Sequence, residues 1–181
     1  MGTPAGARLT YREYEALPEP DDGSRCELVD GQVVVTPPPD DPHQQALREL
    51  TIELGLWARA HAAEVLPGPG LLVAEDSELI PDLIVVLADH LDEAGRRAKT
   101  RADLVVEISS PSTRRRDLGR KRELYQAAGI PEYWFVDRER GEVLVHRRKE
   151  GGYAPAVRLT RGTSVTSPLL PGFTLPVDRL F

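Results

Sequence analysis

Two acidic residues stand in runs of apolar residues, where a charge is expensive. Asp82 enters the segment Pro81-Asp-Leu-Ile-Val-Val-Leu87, and Glu107 lies inside Asp103-Leu-Val-Val-Glu-Ile108. Unbroken Leu, Ile and Val mark strands covered on both faces. Desolvating a lone carboxylate costs several kcal/mol, so each acid needs a proton, a partner or a cation. The charged stretch between them, Ala88 to Ala102, reads as an exposed loop without a crossover helix, which allows the two strands to pair antiparallel. The start of one then lies beside the end of the other, and the carboxylates converge. Converging acids repel unless a cation sits between them. Hard oxygen ligands suit Mg²⁺ or Mn²⁺, which polarise a phosphoryl oxygen and lower the pKa of a bound water. Glu27, on a third predicted strand, can complete the ligand set.

Lys121 is the cation that belongs to this group. It follows Asp117 by four residues and precedes Tyr125 by four, so the three share one helix face. Near a metal, the lysine could orient an attacking water or stabilise a pentavalent phosphate. The same spacing is also satisfied by an ordinary Asp117–Lys121 ion pair worth a few tenths of a kcal/mol.

The elements that must position these residues can be read in order. Thr10 caps a short helix, Tyr11 to Leu17. Arg25–Val29 and Gln32–Thr36 flank Asp30-Gly31, a two-residue hairpin signal. Asp40 or Asp41 caps an amphipathic helix with Pro42 in its first turn, apolar at Leu47, Leu50, Leu54 and Trp57 and reaching about Ala63. His43 falls in its first turn. Leu71 to Ala74 is a short strand, followed by the two acid-bearing strands. Ser112 or Thr113 caps a helix running to Ala128, closed by Gly129 and Pro131. Glu132 to Asp137, Glu142 to His146 and Tyr153 to Leu159 are further strands. Ser167 to Phe181 reads as a proline-rich tail with isolated apolar anchors. The expectation is one α/β domain spanning all 181 residues.

Composition narrows the function classes. The only cysteine, Cys26, excludes an internal disulfide or a cysteine-rich zinc site within one chain, and fits a reducing, cytoplasmic setting. No apolar run approaches the roughly 20 residues of a membrane-spanning helix. Net charge is −6, yet ten basic residues and three acidic ones lie between Arg96 and Arg122, a local basic zone around the candidate site. His43, His61, His90 and His146 show no zinc-ligand spacing, and no glycine-rich phosphate loop is present.

Pro81-Asp82 followed by Glu107 in an apolar strand resembles the PD-(D/E)XK nuclease signature. More specifically, the chain resembles the Uma-two family of restriction-endonuclease-like proteins of bacteria. The matching segments are Tyr11-Arg-Glu-Tyr14, Glu27 to Gly31, Pro37 to His43, Ile80 to Val86, Leu104 to Asp117, Lys121 to Tyr125, Gly129 to Asp137, and the closing Leu170-Pro-Gly-Phe173 and Leu180-Phe181. The resemblance implies a restriction-endonuclease-like mixed sheet flanked by helices, and a Mg²⁺- or Mn²⁺-dependent DNA endonuclease acting as a homodimer. It implies a metal held by Asp82, Glu107 and the Ile108 carbonyl, with Glu27 as a direct or water-mediated ligand. Ser109 stands where the signature lysine is expected, so the resemblance assigns the ammonium to Lys121 from the following helix. His43 is implied to lie near the site, and Asp117 and Tyr125 to orient Lys121. Arg114, Arg115 and Arg116 would contact backbone phosphates. The alternative is an inactive nuclease-fold module that binds nucleic acid or protein; the displaced lysine and the net charge favour it.

Overall fold

The computed structural model describes residues 8–18, 20–93 and 98–181. Its first elements are a capped helical turn, α1 (Tyr11–Glu15), and a hairpin, β1 (Arg25–Val29) and β2 (Gln32–Thr36). Thr10 caps α1 as expected, accepting from the Glu13 amide while Glu13 reaches back, but the helix ends at Ala16 rather than Leu17. The hairpin turn is the one its dipeptide demands: Asp30 and Gly31 both have positive φ, 50° and 75°. A Cβ on Gly31 would also stand 2.8 Å from Arg8 Cβ.

Helix α2 (Asp41–Ala60) follows, capped by the Asp40 side chain on the His43 amide, and it stops three residues before the expected end. Then come β3 (Glu64–Pro67), β4 (Gly70–Ala74), β5 (Ser77–Leu79) and β6 (Leu83–Val86). Strands β3 and β5 are not legible in the sequence, because four and three residues are too few to show a period. The stretch read as a loop contains a 3₁₀ turn, Ala88–Glu93, and β7 (Ala98–Lys99); its residues 94–97 lie outside those described.

The second acid-bearing strand is β8 (Leu104–Ile108). After it the chain turns helical over 114–127, here α3. This helix is interrupted by a π turn, Asp117–Lys121, and Thr113 at its start makes no side-chain cap bond, contrary to expectation. Strands β9 (Glu132–Asp137), β10 (Glu142–Lys149), β11 (Gly152–Tyr153) and β12 (Val157–Thr160) come next. The tail is more ordered than its prolines suggest: β13 (Ser164–Ser167) and β14 (Leu170–Pro176) form a hairpin, closed by a 3₁₀ turn.

The central sheet runs β11-β10-β9-β8-β6-β3, with β12 also on β10. All its pairs are antiparallel except β8 and β9, which α3 joins as a parallel crossover. A second sheet runs β2-β1-β5-β4-β7. Alternation along the central strands divides their side chains between two cores. Leu83, Val85, Leu104 and Val106 meet Leu50 and Leu54 of α2 and Phe173 and Leu175 of the tail hairpin. Ile84, Val86, Val105, Tyr133 and Phe135 meet Leu79 of the second sheet and Leu124 and Tyr125 of α3. Glu107 has the parity of Val105, so it faces α3. The mixed α/β architecture is the one expected. Among the described residues, no helix is long and apolar enough to cross a membrane.

Candidate active site

Antiparallel pairing of β6 and β8 sets Leu83 opposite Val106. One step outward, Asp82 and Glu107 come to the same end of the sheet. Both are about 97 % buried. They line one cavity of ≈ 210 Å³ together with Glu27, His43, Asp117, Lys121 and residues of the loop after β8. Five elements therefore deliver one site: β1, the start of α2, the entry of β6, the end of β8, and α3.

Lys121 is fully enclosed, and its Nζ lies 2.7 Å from Glu107 Oε1 and 2.7 Å from Glu27 Oε1. The expected Asp117 contact is much looser, at 3.8 Å. The π turn explains the difference. It widens the helix by one residue at this point, so Lys121 projects over the strand end instead of along its own helix. Burial alone would lower the Lys121 pKa, but Glu107, Glu27 and Asp117 together hold it well above the usual lysine range. The ammonium is a fixed charge.

Tyr125 reaches the site differently from expectation. Its hydroxyl donates to Glu107 Oε1 at 2.6 Å and so orients the acid rather than the lysine. Burial raises the pKa of Glu107 to about 8; Lys121 opposes this, while Asp117, Asp82 and Glu27 add to it. Asp82 is held differently. Its Oδ1 accepts from Arg25 at 2.8 Å, and its Oδ2 meets His43 Nε2 at 3.1 Å and the Ile108 amide at 2.8 Å. Burial pushes this carboxyl up most strongly, but His43, the Ile108 N–H and Arg25 outweigh it and leave its pKa below the ordinary value. Glu27 also accepts from the Ile80 amide at 2.7 Å and pairs with Arg116 at 3.3 Å. Asp117 is buried with its Oδ1 lacking a hydrogen-bond partner, and burial raises its pKa.

His43, expected near the site, is in contact with Asp82. Arg25 carries no expectation from the sequence; its only signal is its position two residues before Glu27 on the same strand. The three arginines of α3 divide. Arg114 is committed to Asp137 through a bidentate pair at 2.6 and 3.0 Å, and Arg116 to Glu27 and Thr36, whereas Arg115 is exposed. Ser109 does not substitute for a lysine: its hydroxyl accepts from the Arg138 amide at 2.8 Å and ties the strand ends together.

The donor set suits a hard divalent cation. Five carboxylates (Glu27, Asp40, Asp82, Glu107 and Asp117) line a cavity holding three fixed cations, Arg25, Arg116 and Lys121. Burial, with a smaller contribution from the neighbouring acids, raises the pKa of Glu107, and Asp117 Oδ1 has no hydrogen-bond partner; an added positive charge relieves both. Among the described residues no three His, Cys, Asp or Glu side chains form a ready-made metal cage. The acids are shared out among the protein's own cations, so binding a metal requires Arg25 or Lys121 to yield a carboxylate oxygen.

Comparison with known proteins agrees with this architecture. The model of the Uma2 family, described as "Putative restriction endonuclease", matches residues 11–178. A crystal structure of a "putative nuclease belonging to DUF820" from Anabaena variabilis ATCC 29413 superposes with a TM-score of 0.79 at 18 % identity, over 96 % of this chain and 97 % of that one. No curated protein matches the chain. With its match extending from α1 to the last turn, this chain belongs to the Uma2 family of restriction-endonuclease-like proteins.

Proposed function

We propose that the protein is a Mg²⁺- or Mn²⁺-dependent DNA endonuclease whose active site is the buried acid–lysine cluster. The observation that carries this is the position of Lys121: its ammonium sits 2.7 Å from Glu107 and Glu27, in the cavity that also holds Asp82. A helix thus supplies the cation that the strand, with Ser109, does not.

Asp82 and Glu107 would hold the metal, joined by the Ile108 carbonyl and, directly or through water, by Glu27. The bound divalent ion supplies Lewis-acid polarisation of the phosphoryl oxygen and a water of lowered pKa. The protein's own groups do the rest. With its pKa raised, Lys121 serves as an electrostatic stabiliser of the charge that develops on the phosphate rather than as a proton acceptor. Tyr125 fixes the Glu107 carboxylate through its 2.6 Å hydrogen bond, and His43 with the Ile108 amide fixes Asp82. Arg115, exposed at the start of α3, is placed to meet a backbone phosphate. Acting on both strands of a duplex would call for two such sites, hence a homodimer.

One observation favours a second reading, a binding module that no longer cuts: every site acid except Asp117 is already hydrogen-bonded to a basic side chain. Titration calorimetry separates the two. The nuclease reading expects Mg²⁺ or Mn²⁺ to bind the wild type and binding to be lost in Glu107→Gln. No heat of binding for either metal supports the module.

A further inference from the structure

The acid–lysine cavity ends at Arg25 and Ile80, and behind those same two residues a larger cavity opens, of ≈ 450 Å³. Its remaining walls include Tyr11, Tyr14 and Glu15 of α1, Cys26 and Val33 of the hairpin, and Glu78 of β5. These walls are fixed by the fold. The Tyr11 amide donates to the Glu75 carbonyl and the Leu9 amide to the Gly31 carbonyl, both at 2.8 Å, and the Tyr14 hydroxyl donates to the Cys26 carbonyl at 2.5 Å. Between the compartments stands Arg25, its side chain 28 % exposed and its guanidinium on Asp82.

Aromatic, proline and methyl walls that also carry the Glu15 and Glu78 carboxylates are suited to a flat heterocycle whose amino groups donate to an acid, and the volume suits one nucleoside. A chain passing from this cavity into the acid–lysine cavity must cross Arg25, whose planar fork matches a phosphate. We propose that the larger cavity is a subsite for one unpaired nucleoside flanking the phosphate to be cut, with Arg25 on the phosphodiester between the two cavities. The inference rests on the nuclease reading and narrows its substrate. A base stacked in a duplex cannot enter a concave cavity, so the flanking nucleotide must be single-stranded, mismatched or displaced in a flap.

The test uses single-stranded oligonucleotides in which one abasic position is moved stepwise through the sequence. Cleavage is measured with Mn²⁺, and affinity by fluorescence anisotropy in chelator. The expected result is that one abasic position, immediately beside the cut, lowers both cleavage and affinity at least about tenfold, since a stacked base contributes on that scale. Val33→Trp, at a 40 % exposed rim position, should fill the cavity and bring the intact oligonucleotide down to the abasic level. A thermal melt of the same variant within a few degrees of the wild type shows that it is folded. Equal cleavage of every abasic oligonucleotide, or an unchanged rate in Val33→Trp, overturns the subsite while leaving the nuclease standing. A folded wild type that cuts no intact oligonucleotide overturns both, and the two failures are told apart by that control.

Discussion

Glu107 holds the sharpest physical tension in the site. Its pKa is raised to about 8, so the folded protein keeps a proton there that the unfolded chain releases near 4.5. The stability this contributes is fully present below about pH 4.5 and is lost as pH rises through about 8. Asp82, with its lowered pKa, acts with the opposite sign, adding stability above its ordinary range and losing it in acid. Metal-free protein should therefore lose on the order of a few kcal/mol between pH 5 and pH 8.5, and Glu107→Gln, which cannot ionise, should flatten that decline in urea midpoints. In the proposed site Glu107 is a metal ligand and must be deprotonated, so metal uptake below pH 8 should release a proton, visible as a buffer-dependent heat. Lys121 is the converse case. At pH 8.5, where Glu107 is ionised, Lys121→Met leaves Glu27 and Glu107 without their shared cation and should cost about 3–5 kcal/mol.

A second residue-scale prediction lies away from the site. His146 is buried, neither ring nitrogen has a hydrogen-bond partner, and the ring packs 5.6 Å from Tyr133 and 5.9 Å from Tyr153. Burial, helped by Arg122, lowers its pKa to about 4. Its contribution is present above about pH 6.5 and is lost as pH falls through about 4, on the order of 3 kcal/mol in full. His146→Phe keeps the ring and removes the orphaned nitrogens, so it should be at least as stable as the wild type at pH 7 and show a shallower loss in acid, measured by thermal melts.

At the scale of elements, the site depends on how β8 and α3 meet. The convergence of Asp82 and Glu107 was legible because two apolar strands joined by a loop leave few other pairings. The π turn was not. A 3.6-residue period fits Asp117, Lys121 and Tyr125 equally well to a regular helix, and the one-residue widening becomes favourable only when Lys121 can reach Glu27 and Glu107. Nothing in the local sequence encodes those distant acids. Two variants of Gly119 separate composition from geometry. A Cβ there meets nothing within 4 Å, so Gly119→Ala should raise stability by up to about 1 kcal/mol and leave the site intact. Deleting Gly119 should restore a regular helix and swing Lys121 off the acids, so that metal binding in calorimetry and helicity persist while metal-dependent cleavage falls at least about 100-fold.

At the scale of the whole molecule, the second sheet and the tail hairpin were the least legible parts. Strand β5 has three residues and β7 two, too few for an alternating pattern to show. The tail's Pro171 and Pro176 disguised a strand that pairs on one side alone. Yet the second sheet closes the site, since it brings β1 with Glu27 and Arg25 over the end of β8. Five separate elements assemble the centre proposed to cut DNA. The most direct measurement is cleavage of single-stranded and supercoiled circular DNA by purified protein with Mg²⁺ or Mn²⁺, compared with Asp82→Asn. Metal-dependent cutting by the wild type, reduced at least about 100-fold in the variant, is the predicted result, since Asp82 holds the metal in the proposed site and its loss there removes several kcal/mol of transition-state stabilisation. No cutting by folded wild type with either metal, or equal cutting by Asp82→Asn, would contradict it.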